Sequence, residues 1–189
     1  MQKYPYVIVA LIVFISDQVS KWSVMEHIIK PMLPGFQQDN PLGFLEWYAA
    51  VPERLAFVST PVTSFFNIVM VWNQGVSFGM FSNNSDYGPI ALSALSIVIA
   101  IIFAVWMLRS QSKLQCLAIG FVIAGALGNV IDRLRFGAVI DFLDFHAFGY
   151  HWPAFNVADS GICIGVFLLI IQSLFFETYE KNATPNINS

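Results

Sequence analysis

The sequence predicts a membrane protein, mainly α, in which four transmembrane helices carry a small extramembrane β-sheet and an outer connection containing a short interfacial helix. Two observations set that expectation. Only 11% of the 189 residues are charged and 57% are hydrophobic, whereas a soluble domain carries roughly 25% charged residues. The apolar residues also gather into four long stretches, and crossing a hydrocarbon core takes about 20 residues of helix. A net charge of −3 excludes a strongly basic nucleic-acid surface and a polybasic lipid-binding face.

The first span covers about residues 4–24 and is charged only at Asp17 and Lys21, near its end. Lys3 and the apolar run after it imitate a secretory signal, but no small-x-small site follows, so a retained helix is expected. Residues 25–89 form the first outer-face connection. Within it, 30–61 is rich in Pro, Gly and aromatics and reads as irregular. Leu42 to Tyr48 reads as a short interfacial amphipathic piece, because Trp and Tyr favour the headgroup level. Phe65 to Trp72 is apolar, β-branched and aromatic over a strand's length, and Asn73-Gln74-Gly75 then turns the chain.

Spans two and three, about 90–108 and 114–131, hold no charge and are joined by a short connection carrying Arg109 and Lys113. In the second outer connection, 132–156, Ala138 to Phe145 reads as another strand. There Asp141, Leu143 and Phe145 share one face and Ile140, Phe142 and Asp144 the other, with Asp144 at a solvated exit. The fourth span covers about 157–176, with Asp159 near its start, and 182–189 reads as a disordered tail. Cys116 and Cys163 sit in apolar runs without a disulfide framework.

Four crossings put both termini on one side. Lys3, Arg109, Lys113 and Lys181 share that side, which marks it as cytoplasmic. The end of span one, the end of span three and the start of span four therefore reach the outer surface together. Asp17, Lys21, Asn129, Asp132, Arg133, Asp141, Asn156 and Asp159 share one membrane boundary, and ionisable groups there point to function.

Each group also has a purely structural reading. Asp17 and Lys21 stand at i, i+4, where a snorkelling pair would anchor the helix end. Gly125, Asn129, Asp132 and Arg133 form one helical stripe, small where another helix can approach and polar at its outer end. A permanently charged arginine suits positioning better than proton transfer. Asn156 is a favoured N-cap with an acid, Asp159, three residues on. Capping alone accounts for that pair in a soluble helix; at a membrane boundary, with another carboxylate in the preceding connection, function outweighs it. Asp141 has no capping role and sits in an otherwise apolar strand.

No metal or cofactor is expected. His27, His146 and His151 are scattered without metal-ligand spacing, and the serines lack a nucleophile elbow or a paired base. A carboxylate pair is what remains for hydrolysis. Two such groups close together cannot both ionise, so one holds a proton while the other acts as base. The rival reading is a small transporter or proton relay through the same acids. Transporters place polar groups near the midplane on broken helices and show repeats, whereas these acids lie at one edge and no repeat is visible.

At these residues the sequence resembles lipoprotein signal peptidase, the type II signal peptidase family of bacteria. The matching blocks are Asp17-Gln18-Val19-Ser20-Lys21, Asn73 through Gly79, Gly125 through Arg133, Val139-Ile140-Asp141-Phe142 and Phe155-Asn156-Val157-Ala158-Asp159. The resemblance implies an inner-membrane aspartic peptidase with catalytic Asp141 and Asp159. It would act at the periplasmic face, removing the signal peptide of a diacylglyceryl-modified prolipoprotein before the lipidated cysteine. Asp17, Lys21, Asn73, Gly75, Asn129, Asp132, Arg133 and Asn156 take supporting or substrate-binding roles by the same resemblance. It also implies a sheet and a periplasmic helix flanking the substrate cleft. The implied partners are that substrate and membrane lipids, with no nucleic acid, and the expected state is a monomer. One departure is visible: the connection from Lys21 to Asn73 is longer than usual in that family. Asp159, near a helix N-terminus, is the expected initial base, and Asp141 the expected proton holder.

Overall fold

A computed structural model describes residues 2–36, 39–75 and 87–175. Helix α1, Tyr4–Ser23, opens with Pro5 in its first turn, where the missing N–H costs nothing. The helix runs on as a π-helical segment, Val24–Ile29, and a 3-10 turn, Lys30–Met32. That continuation buries Val24, Met25 and Ile29 in a core outside the spans.

The remaining helices are α2 (Phe44–Ala50), α3 (Tyr87–Arg109), α4 (Lys113–Phe136) and α5 (Val157–Phe175). α1 with its continuation, α3, α4 and α5 are the four helices long and apolar enough to cross a membrane among the described residues. Buried residues make up 61% of the apolar stretch of α4, against 17–22% in the other three. α4 is therefore the hub of the bundle, and the others present Ile8, Ile12, Ile102 and Phe167 outward. α4 closes on Gly137 in the left-handed region, φ +66, the usual helix stop.

Gly125 of the stripe lets α5 approach α4, and Gly128 beside it makes room for Asp17 of α1. A Cβ on Gly125 would run into the Ala158 carbonyl oxygen, and one on Gly128 would lie 2.6 Å from the Asp17 carboxylate. Small residues let helix backbones meet in a bilayer, where lipid is as apolar as leucine.

Outside the spans lies a four-stranded antiparallel sheet in the order β1-β2-β3-β4. Its strands are β1 (Ser59–Thr63), β2 (Phe66–Asn73), β3 (Val139–Ala147) and β4 (Tyr150–His151). β2 and β3 occupy the two expected stretches. β1 and β4 are additions; β1 falls partly within 30–61, expected to be irregular. β2 pairs with β3 so that Val71 faces Asp141 and Asn73 faces Val139.

Trp47, Leu55, Met70, Phe136, Ile140 and Phe142 join Val24, Met25 and Ile29 in one hydrophobic core. Two expectations change here. Trp47 does not sit at the headgroup level but is 0% exposed, since α2 lays it against Phe136. Asp144 is not solvated: it is buried, accepting from Asn67 Nδ2 at 2.8 Å and pairing with His151 Nδ1 at 2.9 Å. Those bonds and the imidazole charges outweigh burial and hold its carboxyl below the ordinary range. Phe176, the tail at 182–189 and the motif residues Val76 to Gly79 lie outside the described residues.

Gly125→Ala is expected to destabilise the protein by about 1–3 kcal/mol, because the added methyl meets rigid backbone and must push α5 away. Thermal unfolding in detergent measures it; an unchanged melting temperature would contradict the close α4–α5 contact.

Candidate active site

The site is built in two layers, the lower one charged. Lys21 is fully buried, its Nζ 2.8 Å from Asp17 Oδ2 and 2.7 Å from Asp132 Oδ2. Gln18 Nε2 bridges the same two carboxylates, 3.1 Å from Asp17 and 3.2 Å from Asp132. Burying a lysine is tolerable only with partners of this quality. The anchoring reading of Asp17 and Lys21 is overturned: a snorkelling lysine keeps its ammonium in water, and this one keeps none of it there. Asp132, although adjacent to Arg133 in sequence, turns to Lys21.

The free lone pairs of this triad reach outward to backbone. Asp17 Oδ1 accepts the Ala158 N–H at 2.8 Å, and Asp132 Oδ2 accepts the Ile140 N–H at 3.1 Å. Each of these residues precedes an aspartate of interest, Asp159 and Asp141. Helices α1 and α4 thus grip both chain segments that deliver those side chains.

The upper layer consists of amides. Asp141 accepts from Asn156 Nδ2 at 2.8 Å and from Asn73 Nδ2 at 2.9 Å, one on each oxygen. Asp159 accepts from Asn129 Nδ2 at 2.7 Å and from the Asn156 N–H at 3.2 Å. Asn156 Oδ1 in turn accepts the Asp159 N–H at 2.9 Å. Asn156 and Asp159 therefore form a reciprocal capping box, so the capping reading is realised. The same pair also holds the site, because Asn156 touches both aspartates. Gly75, at φ +82, donates its N–H to Asn73 Oδ1 at 2.8 Å. This Asx turn leaves the Asn73 amide nitrogen free to face Asp141.

Asp141 is almost fully buried and Asp159 half-buried. Burial pushes the Asp141 carboxyl up to about 7, helped by the charge of Asp159 and opposed by the hydrogen bonds from Asn73 and Asn156. The two carboxyls therefore interact electrostatically. Arg133, also half-buried, lies within electrostatic reach of Asp159, Asp132 and Asp141. One guanidinium nitrogen, Nη1, is 3.4 Å from Asn129 O, while its buried Nε makes no hydrogen bond.

All ten residues singled out in the sequence thus meet at one end of the bundle. Sequence reading missed Gln18 and the Ala158 and Ile140 N–H groups. Gln18 had a signal, a polar side chain between two charged ones in an apolar helix; the backbone groups had none. Among the described residues no group of three His, Cys, Asp or Glu side chains is arranged to hold a metal ion.

Comparison with known proteins bears on the whole arrangement. A family model described as signal peptidase (SPase) II matches residues 9–175. The chain is 51% identical over 118 residues to a lipoprotein signal peptidase of Ralstonia nicotianae, covering 61% of this chain and 68% of the relative. It is 37% identical over 167 residues to one of Polynucleobacter necessarius subsp. necessarius, covering 87% and 86%. A bacterial membrane enzyme structure solved in meso at 2.3 Å superposes with a TM-score of 0.67 at 29% identity, over 96% of this chain and 93% of that one.

Lys21→Met is expected to lose about 3–5 kcal/mol of stability, because two buried carboxylates lose their counter-charge. Denaturation of the purified variant measures it. Wild-type stability would mean that the triad contributes nothing to the fold.

Proposed function

The chain belongs to the signal peptidase II family, and from that premise we propose that it removes the signal peptide of a diacylglyceryl-modified prolipoprotein, cleaving before the lipidated cysteine with Asp141 and Asp159. The observation that carries this reading is the bridge through Asn156, which hydrogen-bonds both carboxyls at once. It holds two acids side by side without supplying a counter-charge.

Such a pair suits water activation. Asp159, at the first turn of α5, is the proposed base, held by Asn129 and by the Asn156 N–H. It takes a proton from a water lying between the carboxyls as the water oxygen attacks the peptide carbonyl. Asp141, whose carboxyl titrates near neutrality, gives its proton to the carbonyl oxygen, forming a neutral tetrahedral diol. On collapse the C–N bond breaks, Asp159 returns its proton to the leaving amine, and Asp141 recovers one from the diol. Both groups end as they began.

The chain is a multi-pass membrane protein, and we place it in the bacterial inner membrane with both termini cytoplasmic and the site at the periplasmic face. Basic Lys3, Arg109 and Lys113 on the opposite side support that orientation. Acyl chains of the substrate can stay in the bilayer while the peptide lies at its boundary. Arg133, half-buried and within electrostatic reach of both carboxyls, is the residue proposed to hold substrate backbone or headgroup. Asp17, Lys21, Asp132, Asn73, Gly75, Asn129 and Asn156 act as positioning residues in a single chain working as a monomer. The transporter alternative gains no support from acids gathered at one edge of uninterrupted helices.

Asp141→Asn and Asp159→Asn are each expected to lower cleavage by about 10²–10⁴-fold or more, with the fold retained. The assay is purified protein with lipidated and unlipidated prolipoprotein, cutting only the former; robust turnover by either variant would sink the dyad.

The raised carboxyl also predicts a pH dependence. Asp141 holds its proton below about 7 and loses it above. kcat/KM should therefore fall as pH climbs through that value, about tenfold per unit beyond it. Activity that kept rising to pH 9 would reverse the roles.

A further inference from the structure

The tips of the sheet carry an arrangement that the site does not use. Phe148 and Gly149 turn β3 into β4 with φ of +51 and +81. A bulky aromatic residue at positive φ is strained, and burial of its ring does nothing to offset that strain, because Phe148 is fully exposed at 106%. Tyr150, Trp152 and Phe65 beside it are 86%, 69% and 55% exposed. The β1–β2 tip joins this group, since the His146 N–H donates to Phe65 O at 2.9 Å.

Apart from His146 and His151, which face Asp144, this surface carries no titratable side chain of the acidic or strongly basic kind. Residues 55–75 and 145–158 contain no Asp, Glu, Lys or Arg, and the two acids of β3, Asp141 and Asp144, are buried. Sheets that face water guard their edges with charge, lysine above all. Edge strand β1, Ser59–Thr63, has none. Tyr and Trp flanked by neutral residues match the composition of the headgroup level.

The bilayer is within reach. α5 has 19 residues, a length of about 28 Å, close to the roughly 30 Å of the hydrocarbon core. Its cap, Asn156, therefore stands at the core's edge, and Trp152 is no more than about 14 Å of extended chain away. Phe145, in the same hairpin, stacks on Phe155 next to that cap, ring centroids 5.9 Å apart. The hairpin is thus tied through Phe155 to the end of a helix long and apolar enough to cross a membrane.

We propose that the tip formed by Phe148, Tyr150, Trp152 and Phe65 inserts into the outer leaflet of the bilayer at the boundary between headgroups and acyl chains. The hairpin is stiff enough to transmit that anchorage. His151 pairs with buried Asp144 at 2.9 Å, stacks on His146 at 4.8 Å, and the Trp152 N–H donates to Phe145 O at 2.8 Å. β3 is then held at both ends, by the Asp132 bond to Ile140 at one and by lipid at the other. In so far as it rests on the peptidase reading, this fixes the height of Asp141 relative to lipid-borne substrate.

The test places a nitroxide label on Phe148→Cys in the full chain carrying Cys163→Ala, reconstituted in phosphatidylethanolamine–phosphatidylglycerol vesicles. Collision with oxygen, which partitions into lipid, is compared with collision with a water-soluble nickel chelate. A label on native Cys163, exposed on the face of α5, gives the lipid reference. Oxygen should dominate at 148, as at 163; dominance of the nickel chelate overturns the proposal. Loss of nickel protection on dilution in lipid would mean that a second copy covers the tip, which also overturns it.

A second variant, Phe148→Asn with Trp152→Ser, guards against misfolding, because asparagine accepts positive φ. It should keep its melting temperature in detergent and its kcat, and raise KM severalfold for vesicle-borne lipidated substrate only. An unchanged KM in vesicles counts against the anchor. If the peptidase reading itself fails, neither protein cleaves, and the collision measurement still decides the anchor.

Discussion

The end of the bundle that carries the sheet is organised around the buried ion triad Asp17–Lys21–Asp132. An ammonium with no exposed surface must be compensated where it stands, and its two carboxylates come from different helices. The requirement fixes the axial and rotational setting of α1 against α4. It also fixes two later segments of the chain, since the spare lone pairs hold the first turn of α5 and the start of β3. Gly125 and Gly128 belong to the same constraint. Larger residues there would open the α4–α5 contact and break the reach of Asp17 to Ala158. One electrostatic requirement and two missing side chains thereby position residues distant in sequence.

Asp17, Asp132, Asp141 and Asp159, the carboxylates of the two layers, divide by the partners they are given. Asp17 and Asp132 meet an ammonium, which compensates their charge and makes them structural. Asp141 and Asp159 meet asparagine amides, which orient a carboxyl without neutralising it. Burial pushes the Asp141 carboxyl up to about 7, the range in which the proposed acid would hold and release a proton. Separating acids by environment is how a site obtains an acid and a base from the same side-chain type.

How much of this was legible depends on the range of the interactions involved. The spans were legible because apolar length is a local property. The stripe from Gly125 to Arg133 was legible because helical spacing puts its members on one face, and β2 and β3 because their residue types are local too. What escaped was set by distant contacts. Nothing near Asp144 announced that Asn67 and His151 would enclose it. Nothing near Trp47 showed that Phe136, nearly 90 positions on, would bury it rather than leave it at the lipid surface. β1 and β4 exist only because β2 and β3 offer them edges. The capping role of the Asn156–Asp159 pair was visible in the sequence and the fold realises it, with the Asn156 side chain reaching Asp141 as well.

The connection from Lys21 to Asn73 acts on the same strand from outside. α2 lays Trp47 into the outer core, and Arg135 of α4 stacks its guanidinium 4.1 Å from that ring while donating to Trp47 O at 2.8 Å. Two further guanidinium nitrogens of Arg135 are buried without hydrogen bonds, so much of its hold comes from stacking on Trp47, Tyr48 and Phe136. Arg54, from the same connection, donates through Nε to Phe136 O at 2.8 Å. Its Nη2 lies where a Cβ on Gly137 would be, 2.8 Å from that position. The connection therefore closes on the turn between Phe136 and Gly137, from which β3 departs toward Asp141. Folded onto its own core rather than left as a loose loop, it braces that turn from outside.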